Sequence, residues 1–249
     1  MAMNARKVGG TSKFKRPPAL EAGTYPARLV QVIDLGMQPQ RPWQGQDKPP
    51  ANMIMTTYEI LDEFLTDEDG NEMTDKPRWV SEDFPLFSLD SDRAKSTQRY
   101  TAMDQDLEYD GDWSQLVGTP CIVTLSADKD RNGKKDQDGN TIVYNNISSV
   151  QPMRAKDAAK AEPLKNPTKV FDMGEPNLDV FLSLPDWLRD KIKSSLEYAG
   201  SALEDILSKV DEKEEAEKRR ASNKQEGEPT KEEEKSDPPK SDDNDDEDW

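Results

Sequence analysis

The stretch GTYPARLVQVIDLG (residues 23–36) decides the fold. Tyr25, Ala27, Leu29, Ile33 and Leu35 fall on one face of an extended chain, and Arg28 and Asp34 fall on the other. That period of two marks a strand, because successive side chains of a strand point to opposite sides. Val30 and Val32 add apolar residues to the second face, which predicts burial on both sides.

Four further stretches read as strands. NMIMTTYEIL (residues 52–61) is rich in β-branched and aromatic residues. RWVSEDFPLF (residues 78–87) is weaker, since Pro85 has no amide to donate. CIVTLSA (residues 121–127) and NTIVYNNISSV (residues 140–150) complete the set. Between the third and fourth lies DSDRAKSTQRYTAMDQ, where Asp90 or Ser91 can cap a short helix and Ala94, Thr97, Thr101 and Met103 recur at helical spacing. The order strand, strand, strand, helix, strand, strand is that of the OB-fold, a five-stranded Greek-key barrel. The expected architecture is therefore mainly β: this barrel, then a C-terminal helical segment and a disordered acidic tail.

OB-folds bind oligonucleotides or oligosaccharides on a strand face flanked by the loops after strands one and four. Here the first of those loops carries Arg41, Trp43 and Lys48, and the second carries Lys129, Arg131, Lys134 and Lys135. Cations that follow phosphates and an aromatic on which bases stack are what a single strand needs. The bland alternative keeps Trp43 packed on the barrel edge and the lysines solvated. Arg28, Arg78 and Trp79, on the strands, join the candidate nucleic-acid-binding residues, with Trp79 ranked lower because it and Tyr25 read more readily as core.

Beyond Pro152 the chain becomes a proline-broken linker, followed by VFLSLPDWLRDKIKSSLEYAGSALEDILSKV (residues 180–210). Val180, Leu184, Trp187, Leu188, Ile192 and Leu196 suit one or two amphipathic helices, with Pro185 in a first turn and a helix over 186–208. After residue 210 apolar residues nearly vanish, which predicts disorder. The expected divisions are a basic arm (1–22), the barrel (23–153), the linker with its helical segment (154–210) and the acidic tail (211–249).

Charge supports that division. The 249 residues carry a formal net charge of −17. Arg6, Lys7, Lys13, Lys15 and Arg16 make the first twenty residues purely basic, while residues 211–249 hold eight basic and seventeen acidic groups. Mean hydropathy is −0.99, too low for the whole chain to be packed core. A polyanion ligand would need acids such as Glu59, Asp62, Glu63, Asp67, Glu68 and Asp69 turned away from its groove.

There is no histidine and one cysteine, Cys121. This excludes His-dependent nucleophile activation, His-ligated zinc and an internal disulfide, so the expectation is a non-enzyme with no cofactor in a reducing cytoplasm. No apolar run has the length of a membrane span. Asp128, Asp130, Asn132 and Gly133 match the start of a calcium loop, but its twelfth position is Gly139 rather than Glu, which favours a basic hairpin loop.

Taken together, GTYPARLVQVIDLGMQPQ, the Pro-rich basic loop, KPRWVSEDF and NPTKVFDMGEPNLDVFLSLPDWLRDKIKSS resemble a group of bacteriophage single-stranded DNA-binding proteins with an OB-fold. The last residues, SDDNDDEDW (241–249), are similar to the acidic tails of bacterial and phage proteins of that kind, which end on an aromatic residue, usually phenylalanine. The resemblance implies coating of single strands in replication or recombination. It also places Asp245, Asp246, Glu247, Asp248 and Trp249 in the positions that recruit a polymerase, helicase or primase. Lys15 and Arg16 of the arm would extend the groove. Two other readings stay open: an acidic interaction adaptor without nucleic-acid binding, and an RNA-binding module, which residues alone do not separate from a DNA-binding one.

Overall fold

The computed structural model describes residues 17–210 apart from 43, 68 and 137. All five expected strands form: β1 (Gly23–Gln38), β2 (Ala51–Thr66), β3 (Glu72–Pro85), β4 (Pro120–Lys129) and β5 (Val143–Pro152). β3 ends at Pro85, which stands opposite Met53 of β2, and a last backbone bond from Leu86 N to the Asn52 carbonyl at 2.7 Å closes the pairing. They lie side by side in the order β3-β2-β1-β4-β5, with every neighbour antiparallel.

The first strand organises the rest. β2 pairs along most of β1, whereas β4 pairs only with Gly23–Arg28. The vacated edge further along takes an unforeseen sixth strand, β6 (Lys169–Phe171), running parallel to Gln31–Ile33. Register slips between Leu29 and Gln31 and between Asp34 and Met37 bend β1 away from a flat sheet. At the second slip Gly36 has φ +66°, and a Cβ there would come within 2.5 Å of the Met173 sulfur. Both the backbone and the close approach require glycine.

β3 and β5 end the strand order, and no hydrogen-bonded ladder joins them among the described residues. The sheet is open where a closed five-stranded barrel was expected. A helix bridges the gap instead. α1 (Lys95–Met103) packs on both β3 and β5, and its buried Arg99 reaches across. Arg99 Nε donates to Glu82 Oε1 of β3 at 2.8 Å, and Nη2 donates to the Ile147 and Ser148 carbonyls of β5 at 3.3 Å each. Asp90 and Ser91 do not cap this helix, which starts at Lys95 behind Ala94 without a side-chain cap. Its buried face carries Arg99 and Tyr100 as well as Thr97.

One apolar layer fills one side of the sheet, with Leu29, Ile54, Tyr58, Ile60, Phe84 and Val123 among its members. Trp113 joins it edge-on to Tyr100 at 5.5 Å and tilted to Phe84 at 5.7 Å. Both sides of β1 are covered, as Val30 and Val32 predicted, but the slip after Leu29 exchanges the faces: Val32 joins the same apolar layer as Leu29, whereas Val30, Ile33 and Leu35 are buried outside it. After a single turn, α2 (Ala155–Ala158), the chain returns through β6 into α3 (Leu178–Leu182) and α4 (Asp186–Lys193). Phe181, Leu188 and Ile192 are each at most 1% exposed. Burying a side chain of this size contributes about 1.5–3 kcal/mol. This layer is therefore integral to the fold, and the compact unit that contains the sheet runs on to Ile206.

The expected helix over 186–208 is broken. α4 ends at Lys193, and the next helical residues are 202–210. Trp187 and Leu196, expected on the apolar face, are each 59% exposed. Among the described residues no helix is long and apolar enough to cross a membrane. The arm residues 1–16 and the tail 211–249 lie outside the described residues.

Candidate nucleic-acid interface

Strand alternation places Arg78 and Trp79 on opposite faces of β3. Trp79 stands opposite Glu59 in the β2–β3 register, on the outer face, and is 42% exposed. It is not the core residue that its size suggested. Arg78 points to the other face, where its Nη2 donates to the Pro18 carbonyl at 2.7 Å. Burial lowers the Arg78 pKa, while Glu63 and Tyr25 act in the opposite sense.

The open edge between β3 and β5 forms a cleft of about 520 Å³. Lys76, Arg78 and Trp79 line it from β3, and Tyr144 and Asn145 line it from β5. None of its lining residues is a carboxylate. In a chain with seventeen more acids than bases, that local absence is the arrangement a polyanion requires. Of the acids in question, Glu59 is turned under a loop, and Asp67 accepts the amides of Asp69 and Asn71 in the β2–β3 turn. Glu63 remains near Arg78, Asp62 acts with it on Tyr25, and Glu68 lies outside the described residues.

Two straps wall the cleft. The first is the segment 17–20, of which Pro17 and Ala19 line the cleft. It is held to β3 by Arg78 and to β5 by a reciprocal pair: Leu20 N donates to Asn145 Oδ1 at 2.8 Å, and Asn145 Nδ2 donates to the Leu20 carbonyl at 2.9 Å. The second is the segment 161–166. Arg28 and Glu59, directly opposite each other on β1 and β2, hold its two ends. Arg28 donates to the carbonyls of Ala161 and Glu162 at 3.0 and 2.8 Å, and also to that of Gly118 at 2.7 Å. Glu59, only 1% exposed, accepts from Lys165 N at 2.8 Å, Asn166 N at 3.1 Å and Asn166 Nδ2 at 2.7 Å. Asn166 in turn lines the cleft.

Of the residues singled out from sequence, the cleft brings together Arg78 and Trp79. Lys129, Arg131, Lys134 and Lys135 are exposed on the β4–β5 hairpin, whose base enters the cleft: Lys129 pairs with Val143, a lining residue. Arg41 and Lys48 are exposed in the β1–β2 loop and do not line the cleft. Arg28 is occupied by its three carbonyls. Lys15, Arg16, Trp43 and Asp245, Asp246, Glu247, Asp248 and Trp249 lie outside the described residues. Lys76 and Tyr144 were not anticipated. Lys76 sits two residues before Arg78 in KPRWV, and Tyr144 is an aromatic at the start of a strand, so the signal was present but unspecific.

The β4–β5 hairpin spends its acids on its own turns. Asp130 Oδ1 accepts the amides of Asn132 and Lys134 at 2.9 and 3.0 Å, and Asp136 Oδ1 accepts those of Asp138 and Asn140 at 2.9 Å each. Asp128 accepts from the Ser126 hydroxyl at 2.6 Å and from Asn146 Nδ2 at 2.8 Å; these bonds hold its carboxyl below the usual range. Among the described residues no three His, Cys, Asp or Glu side chains are grouped to hold a metal ion.

No protein-family model matches this chain, and no curated protein or solved structure does.

Proposed function

We propose that this chain is a sequence-tolerant single-stranded DNA-binding protein built on an OB-type sheet, and that the strand lies in the cleft between β3 and β5. The observation that carries this reading is the cleft itself: two cations and two aromatics, with no carboxylate among its lining residues, in a strongly acidic chain. Bases stack on Trp79 and Tyr144 while Lys76 and the hairpin cations follow the phosphates, a mode that every base satisfies. The connectivity supports an OB-type sheet, because β1 pairs with both β2 and β4 and a helix between β3 and β4 spans the remaining gap.

In this reading the acidic tail ending in Trp249 recruits replication or recombination partners, in keeping with the phage resemblance. A carboxylate run also competes for a cationic groove, so strand occupancy frees the tail. The adaptor alternative draws its support from Trp187 and Leu196, whose exposure gives a protein partner something apolar to cover.

The test is a titration of labelled oligo-dT and a matched duplex with the full-length chain and with a form lacking residues 236–249, at low and moderate salt. The reading expects single-strand preference, affinity that falls with salt, and tighter binding by the shortened form. Absence of binding by both forms rejects it in favour of the adaptor.

A further inference from the structure

The two straps stand on opposite faces of β3. The segment 17–20 is tied to Arg78, and Asn166 is tied to Glu59, which shares its face with Trp79 because residues directly opposite in a ladder point the same way. The open edge of β3 therefore has a wall on each side. Resting on the reading of the cleft as a strand-binding site, we infer that these walls admit one unpaired strand and exclude a duplex, and that Glu59 is the positioning residue that sets this selectivity through Asn166.

The physical argument is one of access. An unpaired base can turn edgewise between two walls and reach Trp79; a paired base keeps both faces in the stack and offers only its groove edges and phosphates. The wall at Asn166 has to be stiff to act as a filter. A nearly buried carboxylate accepting two backbone amides and one side-chain amide supplies that stiffness, since charge-assisted hydrogen bonds are the stronger kind. Arg28 holds the far end of the same strap, at residues 161 and 162, and does not line the cleft.

This separates selectivity from mere strap stability. Asn166→Ala removes the wall side chain while leaving the backbone amides of residues 165 and 166 on Glu59. Glu59→Gln loosens the wall, because an amide group cannot accept from three donors as a carboxylate does. Arg28→Lys loosens the far end of the strap and the bond to Gly118, neither of which lines the cleft. The experiment measures the ratio of oligo-dT to duplex affinity for the full-length chain and these three variants, with urea unfolding of each alongside.

The expected result is that the ratio falls about fivefold or more in Asn166→Ala and Glu59→Gln, the scale of one lost hydrogen-bonded contact, through improved duplex binding. In Arg28→Lys the ratio is expected to hold even where stability drops. An unchanged ratio in Asn166→Ala and Glu59→Gln, or an equal fall in Arg28→Lys, overturns the inference and leaves the binding reading standing. Wild-type protein that binds neither probe overturns both.

Discussion

Replacing Glu82 with glutamine tests what holds β3 and β5 together in the absence of a ladder. Glu82 is 7% exposed at its side chain and Arg99 4%, so the substitution leaves a guanidinium buried beside a neutral amide. Breaking a buried ion pair by neutralising one partner costs about 3–5 kcal/mol, because the remaining charge has lost its compensation. The Ile147 and Ser148 carbonyls still solvate one edge of Arg99, at longer distances of 3.3 Å, which favours the lower end of that range. Lys95, at 2.9 Å from Glu82 but 46% exposed, adds little, since exposed pairs are worth at most about 1 kcal/mol. A loss of about 3 kcal/mol lowers the melting temperature of a unit of this size by about 6–12 °C. Urea unfolding followed by circular dichroism gives the free energy directly. A loss below about 1 kcal/mol would mean that Arg99 does not bind the two edges together, and the account of the open sheet would fail.

Two further outcomes follow from particular groups. Neutralising Lys134 and Lys135 together should weaken oligo-dT binding and lower the slope of log affinity against log salt by about 1.4, at about 0.7 per phosphate contact on a single strand; an unchanged slope removes the hairpin from the interface. Burial alone would raise Asp104, but the amides of Tyr109 and Glu108 and the Tyr100 hydroxyl prevail and hold its carboxyl below the ordinary range. A lowered folded value contributes stability that is complete above the unfolded value of about 3.9 and is lost as pH falls through the folded one. The stability gap between wild type and Asp104→Asn, read from urea midpoints, should therefore be widest near neutral pH and close in acid below about pH 4; a gap independent of pH contradicts the assignment.

The strands were legible through alternation in some, as in Ala27 and Leu29 at the start of β1 and Cys121, Val123 and Leu125 in β4, and through β-branched and aromatic content in β2, which is buried without a break from Ile54 to Leu61. β6 was hidden because three residues following two prolines carry no period. Its formation depends on an edge of β1 that only the three-dimensional pairing leaves vacant. α4 was legible as amphipathic, yet Trp187 was placed on the wrong face; hydrophobicity suggested burial, and the eight-residue helix turns that position outward. The same bias ranked Trp79 low among the candidates, as a residue more often found in the core. Its exposure follows from its place opposite Glu59 on the face of β3 away from Val80 and Phe84, a choice of face that the pairing with β2 sets. Arg28 looked like a phosphate ligand because a charged residue on a strand invites that reading. Its carbonyl partners are more than 130 residues away at Ala161 and Glu162, beyond any local pattern.

The claim at the centre of this account is that a single strand lies against Trp79. Fluorescence anisotropy of labelled oligo-dT, titrated with wild-type protein, Trp79→Ala and Trp187→Ala, tests it most directly. A stacked base is worth about 1–3 kcal/mol, so Trp79→Ala should bind roughly 5- to 150-fold more weakly, while Trp187→Ala, which alters an exposed side chain that does not line the cleft, should match wild type. Equal affinity of wild type and Trp79→Ala would contradict the cleft as the path of the strand.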